Sequence, residues 1–135
     1  MSKSAIYVAN NTAQNVAVNG LINPGTVIRR FGCNLMLSGT AINTNGCGYY
    51  DIDASFVVAP TAAGNVTVTM FKDGIEVPGA TASETATAAN DIVNLSISAL
   101  VREYCPCGDS SSNLTFVLTG TASSVTNVAI VGEKL

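Results

Sequence analysis

The sharpest chemical signal in this 135-residue sequence is its four cysteines. Cys105-Pro106-Cys107-Gly108 sets two thiols one residue apart across a proline turn, while Cys33 and Cys47 lie in glycine-flanked segments that bracket an early strand. Three states fit these positions. Four thiolates, Cys33, Cys47, Cys105 and Cys107, could bind zinc, although structural zinc sites usually draw on C-x2-4-C pairs and neither pair here has that spacing. Disulfides could form in an oxidising setting, with Cys33–Cys47 as one pairing that would close a loop and restrict the unfolded chain. Or the thiols stay reduced and act as small, partly buried apolar side chains, the state that synthesis in a reducing compartment favours.

Carboxylates supply the second pattern. Asp51 and Asp53 stand two apart in an alternating segment, so both project from one face of a strand. Paired oxygens suit a hard cation such as calcium, but that ion takes six to eight oxygen ligands, so a solvated strand face is the simpler reading. Together with Tyr49, the pair also offers what a glycan would need, an aromatic face and hydrogen-bond acceptors. Catalysis has little to work with. The sequence contains no histidine, which removes Ser-His and Cys-His nucleophile pairs and the usual general base. Gly46-Cys47-Gly48 precedes a strand where a phosphate-binding loop would need a helix. A non-enzymatic chain is expected, with zinc or calcium the cofactors worth testing.

Charge narrows the partners. The net charge is −3, and the six basic residues, Lys3, Arg29, Arg30, Lys72, Arg102 and Lys134, form no stripe. Nucleic-acid binding needs clustered positive charge to neutralise phosphates, so it is not expected, and neither is an anionic membrane surface. No run approaches the roughly 20 apolar residues of a membrane-spanning helix. The first residues, Met1-Ser2-Lys3-Ser4-Ala5-Ile6, lack the apolar core of a secretory signal, so synthesis in the cytoplasm is expected. Only 11% of residues are charged while 47% are hydrophobic, against a usual charged share of about 25%. A surface so poor in charge suits a chain that covers part of itself with its own copies.

The elements that must position these residues read as strands. From Tyr49 to Val58 the sequence alternates, with Tyr50, Ile52, Ala54, Phe56 and Val58 on one face and Tyr49, Asp51, Asp53 and Ser55 on the other, until Pro60 stops the ladder. Asp73-Gly74 is a favoured tight-turn pair and joins Asn65–Lys72 to Ile75–Ala82 in a hairpin. Further strands are predicted over Ile92–Val101, Leu114–Thr119 and Val125–Val131, and in the first third near Ala5–Ala9, Gln14–Val18, Thr26–Arg30 and Leu35–Leu37. Thr81–Asn90, rich in Ala, Thr and Ser, is predicted as a loop. Tyr50, Phe56 and Phe116 are expected in the core. Phe71, which faces away from Val66, Val68 and Met70, and Tyr49 are expected at a subunit interface, where large aromatics provide anchor area. With no composition break from residue 1 to 135, about ten short strands in one domain predict an all-β, two-sheet antiparallel jelly-roll sandwich.

Several of these segments are similar to a known family. Gly48-Tyr49-Tyr50-Asp51-Ile52-Asp53-Ala54-Ser55-Phe56 resembles the entry strand of the tumour-necrosis-factor and complement-head jelly rolls. Gly64 to Gly74, ending in Met70-Phe71-Lys72-Asp73-Gly74, resembles that family's hairpin, and Ile75-Glu76-Val77-Pro78-Gly79-Ala80 resembles the return strand of its bacterial members. Leu114–Val117 and Val128–Val131 resemble its last two strands. The resemblance spans about two-thirds of the chain and implies a homotrimer packed about a three-fold axis, a module that decorates surfaces and binds other molecules. It also extends to small structural proteins of phages. The expectation is thus a trimeric decoration or fibre-head module on a virion-like particle, with capsid or fibre proteins as partners. The alternative is a head that binds a receptor or surface glycan.

Overall fold

The computed structural model describes residues 3–104 and 111–135, so Cys105 and Cys107 lie outside the described residues. Those residues form twelve strands and no helix, arranged in two antiparallel sheets that pack face to face. In the first sheet the order is β10 (Val93–Glu103), β7 (Gly48–Pro60), β12 (Ser123–Lys134), β1 (Ala5–Asn10) and β4 (Thr26–Phe31), with β2 (Gln14–Val16) pairing the start of β12 beyond the end of β1. In the second it is β5 (Leu35–Ser38), β6 (Ala41–Asn45), β11 (Ser111–Thr119), β8 (Gly64–Lys72) and β9 (Ile75–Ala86), with β3 (Gly20–Leu21) pairing β11. The two-sheet jelly roll expected from the alternation is the fold observed.

Alternation explains the core. Tyr50, Ile52, Ala54, Phe56 and Val58 of β7 are all buried, and cross-strand neighbours Leu95, Ile97, Val128 and Ile130 share their face. Val66, Val68 and Met70 of β8, and Leu114, Phe116 and Leu118 of β11, close the sandwich from the other sheet. Phe56 and Phe116 meet across the gap with ring centroids 5.4 Å apart and a 57° tilt, a favourable aromatic arrangement. In β12 the inward residues Val125 and Val128 are three apart, because a bulge between Val125 and Asn127 inserts one residue into the strand.

Three elements differ from the sequence-based expectation. β3 and β6 were not predicted, which raises the strand number from about ten to twelve. Thr81–Ala86 is the second half of β9 and not a loop. Its hydroxyls pair across the ladder with β8, Thr67 Oγ1 with Ser83 Oγ at 2.9 Å and Thr85 Oγ1 donating to Asn65 Oδ1 at 2.5 Å. Such hydroxyl pairs stabilise a strand that apolar burial alone would leave weak. The Asp73-Gly74 turn forms as expected, with φ of 52° and 82° at the two positions, the left-handed geometry of a tight hairpin. Beyond it the pairing jumps from Phe71–Glu76 to Thr69–Thr81, so residues 77–80 bulge out of the ladder and Pro78 needs no hydrogen-bond partner there.

Candidate functional site

The outer face of the first sheet gathers most of the residues singled out in the sequence. Because antiparallel partners directly opposite one another point the same way, the register writes this face out in rows. One row runs Leu100, Asp51, Glu133, Ala5, Phe31 across β10, β7, β12, β1 and β4. The next, two residues along each strand, runs Ser98, Asp53, Val131, Tyr7, Arg29. A third runs Ser96, Ser55, Ala129, Ala9, Thr26. Large apolar side chains stand open along these rows: Phe31 is 62% exposed, Leu100 57% and Val131 46%.

Asp51 and Asp53 do share this face, as their spacing requires. Asp51 lies directly across from Glu133, and Ser98 Oγ donates to Asp53 Oδ1 at 2.6 Å. Among the described residues no three Asp, Glu or Cys side chains converge to hold a metal ion. At the top of the face Tyr49 lies across from Arg102, whose guanidinium carbon stands 5.9 Å from the Tyr49 ring centroid and 4.9 Å from that of Tyr104. Sequence reading gave Arg102 and Tyr104 no role in a site. The alternation that placed Tyr49 outward also places Arg102 outward, but nothing local marks a stacked cation. Phe71 lies elsewhere. It is half-buried on the outer face of the second sheet, opposite Thr115, so the two aromatics expected at an interface occupy opposite sides of the sandwich.

A groove of about 430 Å³ opens at the β10 edge, where the 77–80 bulge of β9 stands off the sheet. Ile75, Val77, Pro78 and Leu100 form its apolar lining, with Lys72 and Arg102 at its rim. Behind the groove a buried carboxylate joins the sheets. Glu103, 5% exposed, accepts a hydrogen bond from Thr44 Oγ1 at 3.0 Å and lies 3.7 Å from Lys72 Nζ, which in turn donates to the Arg102 carbonyl at 2.8 Å. Nearby, the Tyr50 hydroxyl contacts the carbonyls of Asn45 (3.0 Å) and Gly46 (2.8 Å). Burial, with the Glu103 charge as a smaller cause, pushes the Tyr50 hydroxyl above its ordinary pKa, against a lowering by the Asn34 side chain.

The cysteines do not pair as Cys33–Cys47. Cys33 is free and exposed, whereas Cys47 is disulfide-bonded. Cys33 sits in the exposed turn between β4 and β5, and Cys47 in the turn that enters β7. For zinc, one of the three states open to the four cysteines, Cys105 and Cys107 lie outside the described residues, and a set that included Cys47 would require its disulfide to be reduced.

No protein-family model and no curated protein matches the sequence. Solved structures do match over nearly the whole chain. Murine APRIL superimposes with a TM-score of 0.68 at 9% identity, covering 99% of this chain and 100% of that one. The PRD1 vertex protein P5 gives 0.65 at 16% identity, covering 98% and 96%, and the globular domain of zebrafish complement 1qA gives 0.58 at 7%, covering 97% and 95%. The strand order, the two six-stranded sheets and these likenesses together give the chain the jelly-roll fold of tumour necrosis factor and the complement heads.

Proposed function

We propose that the chain is a non-enzymatic structural module, a homotrimer that decorates a phage-like particle or forms a fibre head on it. The observation that carries this reading is the outer face of the first sheet. A face that stays in water usually alternates polar residues outward, but here Phe31, Leu100, Val131 and Tyr7 stand outward in adjoining rows. Apolar surface grouped in this way marks an interaction site. Folds of this type usually form trimers, and the likeness to a virion vertex protein supports a place on a particle. In this reading the chain is made in the cytoplasm and reaches the particle by assembly, with capsid or fibre proteins as further partners.

The native mass of the purified protein tests the proposal. Three copies at micromolar concentration are expected by light scattering and native mass spectrometry, and a monomer would overturn it. One observation favours a second reading, a head that binds a surface glycan: Arg102 lies over the rings of both Tyr49 and Tyr104, one row from Asp51, an aromatic and charged cluster at the end of the face. Binding on a glycan array that disappears in Tyr49→Ala, with the fold retained, would establish that reading. A blank array for the folded wild type would remove it.

A further inference from the structure

We infer that Asn45 is a modification site, converted to aspartate and isoaspartate by attack of the Gly46 backbone nitrogen on its side chain. The inference concerns the single chain and is independent of how that chain assembles.

The reaction is easiest where an asparagine precedes a glycine, because the second residue's nitrogen must reach the first residue's Cγ and a bare glycine leaves room to do so. The sequence has two such pairs, Asn19-Gly20 and Asn45-Gly46. At Asn45 the Gly46 nitrogen attacks Cγ, a C–N bond closes a succinimide ring, and the bond from Cγ to Nδ2 breaks. Ammonia leaves with the proton that the Gly46 nitrogen gives up. Water then adds to either ring carbonyl and reopens the ring, to aspartate or to isoaspartate. Amide and water are exchanged for carboxylate and ammonium, with no change of oxidation state. The product carries a new carboxylate, or a main chain one methylene longer, at the joint between β6 and β7.

The fold treats the two pairs differently. At Asn19 the Gly20 nitrogen donates to the Ala17 carbonyl at 2.9 Å and the Asn19 nitrogen to the Leu118 carbonyl at 2.7 Å, so the attacking group is tied back. Asn45 ends β6 with its side chain exposed, and among the described residues neither that side chain nor the Gly46 nitrogen makes a hydrogen bond. The peptide unit joining Asn45 to Gly46 is also prepared for the charge the reaction creates. As the Gly46 nitrogen loses its proton, negative charge passes by resonance to the Asn45 carbonyl oxygen. Asn34 Nδ2 donates to that oxygen at 2.7 Å, and the Tyr50 hydroxyl lies 3.0 Å from it. Donors already fixed where charge develops stabilise a transition state without reorganising. Asn34 is fixed in turn, since its Oδ1 accepts from Ser4 Oγ at 2.7 Å and its backbone carbonyl accepts from the Asn45 nitrogen at 2.8 Å. Gly46 has a φ of 107°, and a Cβ there would lie 2.7 Å from Asn34 Nδ2, so the close approach depends on glycine.

Peptide mapping by mass spectrometry, on protein stored in warm, mildly alkaline buffer, tests the assignment, with isoaspartate identified through its labelling by an isoaspartyl methyltransferase. In the folded chain Asn45 is expected to convert about tenfold faster than Asn19 or more, the factor that one hydrogen bond to be broken represents. In the chain unfolded by guanidinium the two rates are expected to converge, because each site is then a plain Asn-Gly pair. Asn45→Gln should abolish the change in its peptide, since the longer side chain closes its ring far more slowly. Asn34→Asp keeps the acceptor for Ser4 and removes the donor, so it should slow conversion at Asn45 several-fold, and Tyr50→Phe should act in the same direction. Circular dichroism identifies any variant that fails to fold, and the other then decides. Equal rates at the two sites of the folded chain, or faster conversion at Asn19, would overturn the inference. Faster conversion at Asn45 in both donor variants would show that Asn34 and Tyr50 only hold the turn still, and would overturn their part in the reaction.

Discussion

Tyr50 shows how one residue ties the two sheets together. Its ring is buried in the face of β7, and its hydroxyl reaches two carbonyls at the end of β6, Asn45 and Gly46, so a side chain of the first sheet satisfies backbone at the end of a strand of the second. Replacing it by phenylalanine preserves the packing and removes the hydroxyl donor from the Gly46 carbonyl, while the Asn45 carbonyl still accepts from Asn34 Nδ2 at 2.7 Å, so the cost should be about 1 kcal/mol. The pH dependence gives a sharper test. The folded chain holds the Tyr50 proton above the usual value of 10.0, because burial and then the Glu103 charge oppose the phenolate. Above that pH the unfolded chain has released a proton that the folded chain still binds, so stability falls as pH rises. Below it the contribution is intact. Denaturant midpoints measured from pH 8 to 11.5 should therefore fall more steeply in wild type than in Tyr50→Phe, and parallel curves would contradict the burial argument. Glu103 makes a related point about what buried charge requires. Its carboxylate is kept in the interior by Thr44 and Lys72, and without such partners an interior ion is costly.

At the scale of elements, turns decide where strands can meet. Gly74 and Gly120 both have positive φ, 82° and 92°, so a side chain at either is strained by roughly 1 kcal/mol. Their surroundings differ. A Cβ at Gly74 would meet nothing within 4 Å, whereas one at Gly120 would run into the Asn65 carbonyl, where the β11–β12 turn passes β8. Gly120→Ala should therefore lower the melting temperature by several degrees more than Gly74→Ala, and equal losses would show that the turn relaxes freely. The same contrast between local and distant constraint separates what the sequence reveals from what it hides. β7, sandwiched between β10 and β12 with one buried face, carries a clean period of two and was readable residue by residue. β6 buries Ala41 and Ile42 in succession, which breaks the period, and β3 is two residues long. β4 is exposed along its whole length, so Phe31 and Arg29 give no inward–outward pattern to flag them. The Thr44–Glu103 bond joins residues 59 apart, and a glutamate near a strand end reads locally as solvated. Of the site, Tyr49, Asp51 and Asp53 were legible because they alternate; their neighbours across the sheet were not, because register is set by the fold.

The whole molecule presents two unlike faces, and that difference assigns them different tasks. On the second sheet several outward polar side chains are hydrogen-bonded to one another, beside the exposed Leu21 and Met36. Asn43 Nδ2 donates to Asn113 Oδ1 at 3.0 Å and to Ser111 Oγ at 3.1 Å, and Thr67 pairs with Ser83. These polar groups have met their hydrogen-bonding needs within the chain. The first sheet instead presents Tyr7, Phe31, Leu100, Ala129 and Val131 around carboxylates that form no ion pair among the described residues. If assembly uses the first face, a long charged side chain at its centre must be expelled or buried unpaired, and burying an unpaired charge costs several kcal/mol. Ala129, half-buried in the middle strand of the third row, is the position to test. Ala129→Arg should leave a folded monomer, while Thr115→Arg, on the outer face of the second sheet, should keep the native mass of the wild type. Light scattering on the two variants decides the matter. An assembled Ala129→Arg beside a dissociated Thr115→Arg would mean that the hydrogen-bonded face carries the contact, and the argument from exposed apolar rows would then fail at its first step.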